Sequence, residues 1–245
     1  MKKFLVLCLT LAMFVVTVAA RPVQPPTTTG GVIPVLCYHV IDTVTSHYST
    51  TVANFKDQMA YLNSNGYTTL SAEEYYNIMS GAATAPAKPI LLTFDDSTSD
   101  FYNNAYPVLK QYGMKAIEFA VSNWIDTPGK LTTAQLQTLA ANNIDIQNHS
   151  TNHEYFSRLT YDQQFAAIND SNAKIASITG KTPQYLAYPY GDYDADTIAI
   201  AKSLGMKMAF VVGNGLTTPA TDKFTLGRNM ILSADSISTF IRKIS

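Results

Sequence analysis

Short apolar runs alternate with helix-spaced patterns along most of the chain. Residues 33–40, 89–94, 115–121, 144–147, 185–188 and 207–212 are apolar runs of strand length. The run 89–94 is continuously apolar and ends in acid, as expected of a strand buried on both faces of a parallel sheet. Between these runs lie helical signals. Phe55, Met59 and Leu62 are spaced four and three apart, and Ser71 with Glu74 forms a capping box. The patterns at 100–111, 132–141, 161–178, 195–204 and 237–243 predict further helices, with 161–178 the longest, stopped by Gly180 and Pro183. Repeated strand–helix order predicts a parallel sheet, closed into a barrel, whose functional residues sit at the carboxyl ends of the strands.

The ends of the chain change the picture. Lys2 and Lys3, an apolar stretch from Phe4 and the small residues Val18-Ala19-Ala20 predict a signal peptide over 1–20. The stretch is shorter than the ~20 apolar residues of a spanning helix, which favours cleavage over an anchor. Residues 21–31, with Pro22, Pro25, Pro26 and three successive Thr, read as a linker, and 32–245 as one domain. The expected product is secreted or wall-associated, without a membrane span once the signal is removed. Loss of Lys2 and Lys3 takes the net charge from −1 to −3, and no basic stripe remains for nucleic acid. Cys37 is then the only cysteine, so no internal disulfide is available. Hydrophobic residues at 47% against 14% charged support a large core. The fifteen Tyr suit sugar-binding surfaces and half-buried strand positions equally.

Three predicted strand ends carry unusual polar residues. In Thr93-Phe94-Asp95-Asp96 two adjacent carboxylates close a buried strand, which a divalent cation would compensate. Asp96 or Ser97 as a helix N-cap explains the same residues. His149-Ser150-Thr151-Asn152-His153 places two of the chain's four His four residues apart. With Asp96 they make a two-His, one-carboxylate set that leaves positions for water and substrate, although such pairs also arise by chance. Tyr188-Pro189-Tyr190-Gly191-Asp192 is either a plain Pro-Gly turn or a rigid loop offering a backbone N–H and aromatic rings to a sugar.

In this order the three motifs resemble the NodB-like polysaccharide deacetylases, carbohydrate esterase family four. Val35-Leu36-Cys37-Tyr38-His39 is similar to the opening strand of the branch acting on poly-N-acetylglucosamine. The resemblance implies a distorted (β/α)7 barrel. It implies Asp95 as general base, and Asp96, His149 and His153 as ligands of a divalent metal, usually zinc, with cobalt, nickel or iron also accepted by such a set. The Tyr190 amide would complete an oxyanion hole, with Tyr188, Pro189 and Tyr190 against the sugar. The substrate would be an N-acetylated polysaccharide (poly-N-acetylglucosamine, peptidoglycan or chitin-like), and the protein a monomer. A non-catalytic sugar-binding relative and an esterase acting on acetylated xylan are the competing readings.

Three departures from the family pattern bear on mechanism. Ser97 stands where the family usually has Gly. Ala187 stands where it often has an Arg that orients the base. Arg228 could supply that charge from another strand end, or be a surface arginine. No His follows His153, so the usual late acid is missing. His39 is the candidate substitute for acid or substrate contact, or else a buried structural His. His47 reads as surface.

Overall fold

The structure is a computed structural model describing residues 31–43 and 46–245. The expected signal peptide, its Cys8 and all of the linker but Gly31 lie outside the described residues. Seven parallel strands form the frame: β1 (Ile33–Tyr38), β2 (Pro89–Asp95), β3 (Ala116–Ala120), β4 (Ile144–Asn148), β5 (Tyr185–Ala187), β6 (Met208–Phe210) and β7 (Asn229–Met230). β1 to β6 pair successively, and β7 pairs with β1 on the side away from β2. A parallel bridge from Phe210 to Leu226 and the bond from Val211 N–H to the Leu226 carbonyl (2.8 Å) tie the last strand to the segment 226–230. That segment therefore closes the sheet into a distorted barrel. Leu216–Thr217, antiparallel to β1, makes the nine-stranded sheet mixed.

Strand alternation sorts side chains between two cores. Ile33, Val35, Leu91, Ile117, Phe119, Tyr185 and Phe210 fill the barrel. Leu36, Tyr38, Leu92, Phe94, Ala116 and Ala120 face outward and pack under the helices. The helices are α1 (Val52–Ser64), α2 (Ala72–Met79), α3 (Tyr106–Gln111), α4 (Thr133–Ala140), α5 (Tyr161–Thr179), α6 (Ala195–Ser203) and α7 (Ile237–Lys243). Ser71, Thr132, Thr160 and Asp194 each cap a helix through a reciprocal capping box, so local sequence sets these starts. Gly180 ends α5 in the left-handed conformation at φ 75°, which costs glycine nothing.

Two expectations need correction. The predicted helix 100–111 begins as a π-helical turn, Phe101–Ala105, and becomes α-helical only at Tyr106. Pro107 lacks the N–H that an α-helix would bond to residue 103, so the regular ladder cannot run through. The predicted strand 33–40 breaks at His39 and resumes as the two-residue strand Val40–Ile41, which pairs with Ser49–Thr50 outside the barrel.

Candidate active site

Asp95 ends β2, while His39, Asp96, His149, Tyr188 and Tyr190 follow the carboxyl ends of β1, β2, β4 and β5, and all of them line one cleft of about 390 Å3 together with Arg228. Among the described residues, Asp96, His149 and His153 bring one ligand atom each to within 4.8 Å of the others. Asp96 Oδ1 stands 3.6 Å from His149 Nε2 and 3.3 Å from His153 Nε2.

The donor set fits a divalent cation. His149 Nδ1 lies 2.8 Å from the Ala187 carbonyl. A carbonyl only accepts, so Nδ1 carries a proton and the ring turns Nε2 toward Asp96. Asp96 Oδ1 is itself buried and takes no hydrogen bond among the described residues. A buried carboxylate oxygen left without a hydrogen bond beside two imidazole nitrogens is satisfied by a cation shared among them. His153 is held below the usual imidazole range, first by burial and then by the charge of His149, which favours its neutral, ligating form. Its ring stacks on Trp124 (5.5 Å between centroids) and meets Tyr190 edge-on (4.4 Å).

The loop after β4 is built for this placement. Asn148 donates to the Ile168 carbonyl and to Asn172 on α5, and its oxygen accepts the Ser150 N–H at 2.7 Å. Ser150 and His153 both take left-handed backbone, at φ 66° and 61°. The Ser150 hydroxyl accepts the His153 N–H at 3.0 Å. The His pair therefore converges through a tight loop with two left-handed residues.

Asp95, 2% exposed, receives both Arg228 Nη1 and Nη2 at 2.7 Å, one on each oxygen. The Cys37 thiol, pushed up by burial and so a proton donor, also reaches Asp95 Oδ2 at 3.5 Å. Burial alone would raise the Asp95 carboxyl, but the charges of Arg228 and His149 and the Arg228 bonds outweigh it and hold Asp95 well below the usual range. Arg228 is 1% exposed, which rules out a surface role. It enters from the closing segment 226–230, while Ala187 points into the barrel core and lends only its carbonyl. Cys37, His39 and Asp95 also converge within 4.8 Å. Since Arg228 already occupies both Asp95 oxygens, that trio is compensated without an ion.

The turn after β2 is not an N-cap. Asp96 and Ser97 both take left-handed φ, 78° and 52°. The fully buried Ser97 hydroxyl accepts the Val121 N–H at 3.2 Å, and its own N–H donates to Glu118 Oε1 at 2.9 Å. His39 is half-buried beside exposed Tyr48, with Nδ1 4.0 Å from Cys37 Sγ; burial lowers its pKa. His47 is exposed, as the sequence suggests. Tyr188 is buried, its hydroxyl donating to the Phe224 carbonyl at 3.1 Å, and Pro189 is buried beside it. Tyr188 still lines the cleft, but Tyr190 is the exposed ring, 53% accessible and stacked on Tyr155 at 3.7 Å.

Comparison with known proteins gives this geometry a family. The sequence profile of the polysaccharide deacetylases matches residues 82–209, just over half of the chain. Putative polysaccharide deacetylase YxkH of Bacillus subtilis is 31% identical over 208 residues, 85% of this chain and 74% of that protein. The chain belongs to the polysaccharide deacetylase family. The poly-β-1,6-N-acetyl-D-glucosamine N-deacetylase of Staphylococcus epidermidis is 26% identical over 215 residues, 80% of this chain and 72% of that protein. Among solved structures, the Streptococcus pyogenes deacetylase PplD, in complex with acetate, superposes with a TM-score of 0.84 at 28% identity over 89% of this chain and all of that one. The chain is thus a deacetylase on the family's fold, with one domain.

Sequence reasoning missed several residues of the site. Glu118 was visible as a lone carboxylate inside the apolar run 115–121. Cys37 carries a disulfide argument and a place in the opening-strand motif but no site role, because nothing in a strand pattern says which neighbour it faces. Trp124, Tyr155 and Lys130, whose Nζ bonds the Asp96 carbonyl at 2.9 Å and lies over Trp124 at 3.9 Å, carry no motif.

Proposed function

We propose that this protein is an exported, metal-dependent hydrolase that removes N-acetyl groups from a polysaccharide containing N-acetylglucosamine. The observation that carries the reading is the orphaned Asp96 oxygen facing two imidazoles, with arginine-bound Asp95 only 3.8 Å from His149 Nε2. Asp96, His149 and His153 would hold the ion, of zinc type and exchangeable for cobalt, nickel or iron. When bound, a divalent cation there supplies Lewis acidity toward a water and the acetyl carbonyl.

The chain's own residues supply the rest. Asp95 accepts the proton of the attacking water. Arg228 keeps Asp95 ionised and fixed in orientation, so that only one direction of approach suits it. The Tyr190 backbone N–H, at a residue held in left-handed conformation (φ 62°), faces developing charge on the acetyl oxygen. Tyr190 also offers its ring to the sugar, beside Tyr188 and Pro189. His39 protonates the departing sugar amine. The relatives named poly-β-1,6-N-acetyl-D-glucosamine N-deacetylase and the acetate complex of PplD support this substrate class. Among the described residues no helix is long and apolar enough to cross a membrane. The test is acetate release from N-acetylglucosamine oligomers by zinc-loaded protein. Wild type is expected to release acetate, and Asp95→Asn to lose at least a hundredfold in kcat while still binding the oligomer. Oligomer binding without acetate release by wild type would instead establish a non-catalytic sugar-binding protein.

A further inference from the structure

Asp96 and Ser97 are two successive residues in left-handed conformation, at φ 78° and 52°, and neither is glycine. Such backbone persists only where surrounding contacts over-determine it. Four contacts meet here: Lys130 on the Asp96 carbonyl, and Glu118, Val121 and Leu131 on the Ser97 amide, hydroxyl and carbonyl. Three are made by backbone groups or by a lysine at the rim. The fourth comes from Glu118, an acid fully buried in the middle of β3, on the outward face that it shares with Phe94 of β2. Its Oε1 accepts the Ser97 N–H at 2.9 Å, and its Oε2 is buried with no partner among the described residues. No packing requirement calls for an acid at this place, since Phe94, Ala116 and Ala120 surround the position on the same face. What Glu118 contributes is an acceptor aimed at one backbone N–H.

We propose that Glu118 is a positioning residue: it latches the Asp96–Ser97 turn in its left-handed form and thereby aims the Asp96 carboxylate at His149 and His153. It replaces by a side-chain bond the conformational freedom that glycine would give at position 97. This rests on the reading of Asp96, His149 and His153 as metal ligands.

The test compares two substitutions of nearly equal size, of which only one keeps an acceptor. Zinc affinity of the metal-free protein is measured by competition with a chromophoric chelator. Glu118→Gln is expected to bind within about twofold of wild type. Glu118→Met is expected to bind about tenfold or more weakly, within the range that supporting residues around metal sites command. Adding Ser97→Gly to Glu118→Met should restore part of that loss, because glycine takes the left-handed turn without strain, although it forgoes the Ser97 hydroxyl contact to Val121. Equal affinity for Glu118→Met and wild type, equal loss in Gln and Met, or no recovery with Ser97→Gly would each overturn the proposal. Hydrogen exchange at the Ser97 amide of metal-free wild type serves if Glu118→Met does not fold: protection is expected, and exchange at an unprotected rate overturns the latch. Absence of any zinc binding by wild type would refute the ligand reading instead, leaving the exchange result to judge the latch.

Discussion

Asp95 is subject to two opposing forces. Burial favours its neutral form, and the Arg228 guanidinium favours the ion; the guanidinium wins. A carboxylate held so far down is a weak base, so under the proposed mechanism it suits only a water already acidified by a cation that Asp96, His149 and His153 would hold. Replacing Arg228 by Met leaves a buried acid without its counter-charge and should destabilise the protein by about 3–5 kcal/mol, read from urea unfolding. The sign with pH follows from the shift. In wild type the Asp95 pKa is depressed on folding, so its contribution is present above the ordinary carboxylate range and disappears as pH falls through the folded value. In Arg228→Met burial dominates and raises it, so stability is lost as pH rises. The gap between the two proteins should widen from pH 4 to pH 7. A gap independent of pH would mean that the pair is not ionised. His39 gives a second test. Burial lowers its pKa below 6.5, and an acid must carry its proton. The rate should therefore fall as pH rises through a value below 6.5, and His39→Asn should remove that limb with about a 10²–10⁴-fold loss in kcat. The residue pairing itself was only half legible. Arg228 in the sequence is one cation among seventeen, and its burial depends on a strand closing the barrel 133 positions after Asp95.

At the scale of elements, the closing segment 226–230 decides whether Arg228 arrives at all. Backbones approach here too closely for side chains: a Cβ on Gly227 would lie 1.9 Å from the Asn214 carbonyl oxygen, and one on Gly215 would lie 2.3 Å from the Asn229 nitrogen. Gly227→Ala must push the segment off its neighbour, withdrawing Arg228 from Asp95. We expect a loss of more than about 2 kcal/mol in stability together with a large loss of acetate release, whereas Gly81→Ala, where a Cβ meets nothing but the backbone is left-handed, should cost only about 1 kcal/mol and leave the rate unchanged. Long, periodic elements were legible because burial and capping agree: α5 and β2 appear within one residue of their sequence-read bounds. The two-residue strands Thr68–Thr69, Leu216–Thr217 and Asn229–Met230 were not, since a pair of residues has no period to read. The π-turn at Phe101–Ala105 escaped because periodicity weighs apolar positions and overlooks the N–H that Pro107 lacks.

For the molecule as a whole, strand ends from across the chain are made neighbours by one barrel. The fold and the three motif segments were readable because each motif ends a strand, and barrel strand ends share a face. The supporting shell was not readable, because Glu118, Trp124 and Cys37 act through contacts between neighbouring strands and their loops that no motif encodes. A site assembled from so many strands couples ligand binding to global stability. Zinc at a hundredfold over its dissociation constant should add about 2.7 kcal/mol to unfolding, visible as a rise in Tm that a chelator reverses and that Asp96→Asn abolishes. The central claim is that Asp96, His149 and His153 share one cation beside Asp95. Anomalous diffraction at the zinc edge from a crystal of zinc-loaded protein tests it most directly. One peak is predicted within ~2.0–2.2 Å of a carboxylate oxygen of Asp96 and of Nε2 of both His149 and His153. Zinc bound elsewhere, or no peak among these three side chains, would contradict the account.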